Sequence, residues 1–187
     1  MRKLLLFAAA IAFAAPNQPD PQALAAQRKI DVIESGKAKP GSVFVFPQPE
    51  LNAWVRYKLP SIVPEGVSDP RLELTWSTAT AYATVNFLKV QHGQGVETNW
   101  FISKLIDGDK PVKVIARIES ANGKATVHLL RVEISGLAIS GSTLDFFIDN
   151  FFRPLYPDAK IDEPFELDYN MERIESRPGE ARVVIKK

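Results

Sequence analysis

From Arg71 onward the chain alternates between apolar and polar side chains with a period of two, and that alternation limits the folds open to it. Leu72, Leu74 and Trp76 fall on one side against Arg71, Glu73 and Thr75. Ala79, Ala81, Ala83, Val85 and Phe87 then alternate with Thr78, Thr80, Tyr82, Thr84 and Asn86. Successive side chains point to opposite faces only in a strand, so these runs predict antiparallel strands with one buried face. The pattern returns in Val112, Val114, Ala116 and Ile118, with Asn122-Gly123 as a tight turn into a returning strand from Thr126 to Ile134. Strands from Phe165 to Ile174 and from Ala181 to Ile185, joined around Pro178-Gly179, are expected to close the chain.

Helical spacing is confined to a few segments. Leu24, Ala25, Arg28, Ile30, Val32 and Ile33 give a short amphipathic stretch that ends near Gly36. After a brief apolar strand, Val43 to Phe46, the segment Pro47-Gln48-Pro49-Glu50 opens a second helix, with Glu50 at the positive end of its dipole. Leu51, Trp54, Val55 and Leu59 form its apolar face, and Pro60 is expected to stop it. Asn99 to Ile106 and Thr143 to Phe152 read as short inserted helices, the latter capped by Ser142 or Thr143. Without a βαβ rhythm, the elements predict an α+β fold. A curved antiparallel sheet of about six strands packs against an N-terminal amphipathic helix, with two short inserted helices.

The first residues carry a different message. Arg2 and Lys3, an apolar run from Leu4 to Ala14 and small residues at Ala12 and Ala14 make a secretory signal peptide over 1–14. The run ends at Pro16, short of the ~20 apolar residues needed to cross a bilayer. A polar, proline-rich leader over 15–21 and a single domain over 22–187 follow, and the destination implied is periplasmic or extracellular. Losing Arg2 and Lys3 takes the formal charge from +1 to slightly negative. A balanced surface argues against nucleic acid as a partner. With no cysteine, the fold relies on its core alone, which is feasible at about 170 residues.

Motifs for chemistry fail on their missing parts. Gly136 to Thr143 has phosphate-loop glycine spacing, but Ser142 stands where a lysine is required. His92 and His128 lack partners at metal-ligand spacing, and Asp107-Gly108-Asp109 and Asp158 to Glu163 read as turns rather than calcium loops. No nucleophile elbow or Ser-x-x-Lys pair occurs. The expectation is therefore a protein that is not an enzyme and has neither metal nor cofactor.

Leu144, Phe146, Phe147, Ile148, Phe151 and Phe152 make the later helix apolar on nearly every side, so it plugs a core, lines a cavity or touches lipid. The order of pieces, with Glu50-Leu51-Asn52 opening a helix and Pro164-Phe165-Glu166-Leu167 starting a late strand, resembles small exported bacterial envelope proteins of TULIP-like architecture. That resemblance implies a helix lying across a strongly curved antiparallel sheet, with lipid in the cleft between them. Together these features lead to the expectation of an exported module that binds a lipid or other apolar ligand through Trp54, Ala81, Ala83, Phe147 and Phe151. The alternative is an envelope protein that binds a protein partner through a sheet edge or the aromatic helix.

Overall fold

The computed structural model describes residues 20–62, 65–90, 100–154 and 160–187. The expected signal peptide, most of the leader, the turn at His92 to Gly95 and the stretch from Leu155 to Ala159 lie outside them. The fold is α+β, as the alternation predicts, with a six-stranded antiparallel sheet and a second sheet of three strands.

Helix α1 (Pro21–Glu34) starts within the expected leader, because Asp20 caps it. The Asp20 carboxylate accepts a 2.8 Å hydrogen bond from the Gln22 amide, and Pro21 takes the first-turn position where its missing N–H costs nothing. Its buried stripe is Ala23, Ala26 and Ile33, while Leu24 and Val32 are exposed. After β1 (Val43–Pro47) comes α2 (Gln48–Ile62), which runs through Pro60 instead of stopping there. A proline removes one hydrogen bond, and only two helical residues follow it.

These two helices cover the small sheet, ordered β1-β9-β8 with β8 spanning Met171–Arg177 and β9 Glu180–Ile185. Their shared core is Ala26, Ile33, Phe46 and Ile185, with Leu51, Trp54 and Val183 packed around it. Lys29 ties the layer together: its ammonium lies 2.5 Å from the Glu50 carboxylate and donates to the Val45 carbonyl at 2.8 Å.

The large sheet is a meander, β2 (Val67–Thr75), β3 (Thr78–Asn86), β4 (Asp109–Ala121), β5 (Lys124–Ile134) and β6 (Leu137–Ile139), with β7 (Pro164–Glu166) on the far part of β5. Asn122 and Gly123 turn β4 into β5 with φ of 54° and 74°, the left-handed pair that a two-residue hairpin requires. Trp76, expected beside Leu72 and Leu74, instead occupies the β2–β3 turn and is exposed. The single strand expected from Phe165 to Ile174 is split into β7 and β8. Tyr169 and Asn170 adopt left-handed φ there and redirect the chain to the other sheet.

Two devices join the layers. Gln48 and Asn52, one helical turn apart on α2, bond the backbone of β2. The Asn52 amide donates to the Leu72 carbonyl at 3.0 Å and accepts from its N–H at 2.6 Å, and Gln48 accepts from the Leu74 N–H at 2.8 Å. Residues four apart on a helix match the spacing of residues two apart on a strand, so α2 substitutes for a neighbouring strand at this edge. At the other junction the buried Ser176 hydroxyl lies 2.8 Å and 3.0 Å from the carbonyls of Thr75 and Thr78. Among the described residues no helix is long and apolar enough to cross a membrane.

Candidate ligand cavity

Three helices gather at one end of the large sheet. Helix α3 (Phe87–Val90) continues β3, α4 (Trp100–Ile106) leads into β4, and α5 (Gly141–Phe147) follows β6. A π-helical turn, Ile148–Phe152, extends α5. The cap of α5 is Ser140 rather than Ser142 or Thr143, and the helix begins at Gly141. Leu144, Phe147, Ile148 and Phe151 recur at helical spacing and turn one face towards the sheet. Phe87 meets Phe147 and Phe151 edge-on, each at 5.0 Å between ring centres, while Phe147 and Phe151 stack at 5.5 Å. Offset and edge-on contacts of this kind hold aromatic rings in fixed positions.

Between this aromatic lid and the sheet lies a cavity of about 360 Å³. Its floor is Val112, Val114 and Ala116 of β4 and Val127, Leu129, Val132 and Ile134 of β5. Strict alternation along β5 would not place these four residues on one face. The strand register slips between Ala116, opposite Leu129, and Ile115, opposite Arg131, so Leu130 is an extra residue in a β-bulge. The bulge resets the parity of β5, brings both apolar pairs inward and leaves Leu130 51% exposed. Every lining side chain is a hydrocarbon.

The opposite face of the sheet is ionic. Arg71, Tyr82, Lys113 and Glu133 stand in register across β2, β3, β4 and β5. Tyr82 donates a 2.8 Å hydrogen bond to Glu73, Arg71 pairs with the same carboxylate, and the Arg71 guanidinium lies 4.0 Å from the centre of the Tyr82 ring. The bond from Tyr82, followed by that from Arg71, holds the Glu73 carboxyl below its usual range, and the same bond raises the Tyr82 phenol. On the small sheet, Arg173 and then Arg177 hold Glu175 ionised in the same way, partly opposed by burial. His128, opposite Arg117 on β5, lies 3.0 Å from Asp162 and 3.6 Å from Glu119. Among the described residues no group of three His, Asp or Glu is arranged to hold a metal ion.

The five residues expected to form one site are divided. Phe147 and Phe151 line the cavity. Trp54 belongs to the other core, where its indole N–H donates to Gln27 at 2.8 Å, because α2 faces α1 and the small sheet. Ala81 and Ala83 sit opposite Val114 and Val112, and therefore share their sheet face, but neither lines the cavity. The lid lies mainly over β4 and β5, and β3 contributes Val85 rather than Ala81 or Ala83 to the lining. Sequence reasoning missed Val127, Leu129 and the bulge. The apolar run Leu129-Leu130 within an alternating strand is the signal that marks it. The chain matches no known family model, no curated protein and no solved structure.

Proposed function

We propose that the protein is an exported, non-enzymatic carrier or sensor of a lipid or another apolar ligand, held between the aromatic lid and the large sheet. The observation behind this reading is a cavity of about 360 Å³ without a hydrogen-bonding side chain in its lining. The volume falls within the usual range for small-molecule sites, roughly 300–1,000 Å³. A polar group sealed there would forfeit its hydrogen bonds at a cost of roughly 2–7 kcal/mol. The chemistry selects a hydrocarbon chain whose polar end stays at the mouth. The TULIP-like resemblance implies a helix across the sheet with lipid beneath it, whereas the element over this cavity is α5 with its π-helical turn rather than the N-terminal helix.

Binding of a protein strand at the β2 edge is the weaker reading, because Gln48 and Asn52 already occupy the backbone groups of Leu72 and Leu74. The test is native mass spectrometry of detergent-free protein, followed by organic extraction. A stoichiometric apolar molecule is expected. A ligand-free mass that persists after incubation with total membrane lipid would overturn the reading.

A further inference from the structure

On α3 and α4 the outward faces carry large apolar side chains where a protein in water is normally polar. Trp100 is 72% exposed, Leu88 52% and Phe101 39%. Helices α3 and α4 bury their other faces, Phe87 and Val90 on one and Ile102, Leu105 and Ile106 on the other, in the same core. Asn86 pairs with Asp109 where β3 ends and β4 begins, which places both helices at one end of the sheet. Phe152 lines the cavity while remaining 36% exposed, so the cavity reaches the surface beside the aromatic lid. The only charged residues on α3 and α4 are Lys89 and Lys104, and the Lys104 ammonium lies 5.4 Å from the Trp100 ring centre.

We propose that this end of the molecule docks on an anionic lipid bilayer. Leu88, Trp100 and Phe101 enter the headgroup boundary, and Lys89 and Lys104 meet lipid phosphates. Indole is favoured at that boundary because its ring is apolar and its N–H is polar. Lysines interspersed with exposed apolar side chains complement an anionic leaflet. The inference deepens the carrier reading, but the surface itself is argued from exposure and charge.

The experiment is flotation of the purified protein with vesicles of phosphatidylethanolamine and phosphatidylglycerol, and with phosphatidylcholine vesicles. A soluble fluorescent fatty acid, titrated without vesicles, reports the cavity separately. The variants are Leu88→Ser with Trp100→Ser, and Lys89→Glu with Lys104→Glu. All share the wild-type N-terminus, so differences read the helix faces alone. Partition to the anionic vesicles should fall about tenfold in the serine variant. The charge variant should lose its preference for anionic over zwitterionic vesicles, with fatty-acid binding unchanged in both. Equal flotation of wild type and both variants overturns the docking surface and leaves the carrier reading intact. Variant-sensitive flotation without fatty-acid binding overturns the carrier reading and leaves the docking surface standing.

Discussion

Ala116 is where the cavity can be filled from its own floor. It lies on β4 opposite Leu129, with its methyl group bordering the cavity. Ala116→Leu adds three carbons to that space. At about 0.8 kcal/mol for each buried carbon, the gain is roughly 2.4 kcal/mol. Restricting the leucine side chain costs about 0.5–1 kcal/mol, which leaves a net stabilisation of about 1.4–1.9 kcal/mol. For a domain of this size, that corresponds to a rise in Tm of about 3–8 °C. Urea denaturation of extracted, ligand-free wild type and variant measures the first effect, and titration with a fluorescent fatty acid measures the second. The variant should be more stable and should bind more weakly, because its side chain and the ligand compete for one volume. A variant destabilised by about 1 kcal/mol would mean that the region is already close-packed. Unchanged fatty-acid affinity would place the ligand elsewhere.

Other residues make separate expectations. Asn52→Ala removes both bonds to Leu72 and should cost about 2–3 kcal/mol in urea denaturation, since the partly buried N–H and carbonyl lose their partner. Size-exclusion chromatography should also show self-association through the uncovered β2 edge. Leu130→Lys should change stability by no more than about 0.5 kcal/mol, because the bulge residue is exposed. Deleting Leu130 should leave fatty-acid binding and cooperative unfolding in place, because closing the bulge puts Val127, Leu129, Val132 and Ile134 at every second position of a regular strand. Ultraviolet titration, taken as the difference from Tyr82→Phe, should show Tyr82 ionising above the ordinary value of about 10, and Glu73→Gln should bring it back down. The stability from this bond is present below about pH 10 and is lost as pH rises through the raised phenol pKa. For Glu73 the sign is opposite: its contribution is present above the ordinary carboxylate value and disappears as pH falls through the lowered one. Denaturation of wild type and Glu73→Gln across both ranges checks these signs.

Local chemistry was readable along the chain. Alternation from Leu72 to Asn86 and the Asn122-Gly123 turn specify strands and a hairpin, because side-chain facing and left-handed φ are properties of neighbouring residues. The helical spacing of Phe147 and Phe151 likewise puts both on one face, which in the structure looks into the cavity. Tertiary structure decided what each face meets. Trp54 was legible as buried, but its neighbours come from α1 and the small sheet. Ala81 and Ala83 were legible as one sheet face, but the lid settles over a different part of it. The bulge at Leu130 follows the pairing of β5 with β4, since parity is defined only against a partner strand. Periodicity states which side of an element avoids water. The partner that covers that side is chosen by packing between segments far apart in sequence, where the free energy belongs to the pair rather than to either segment.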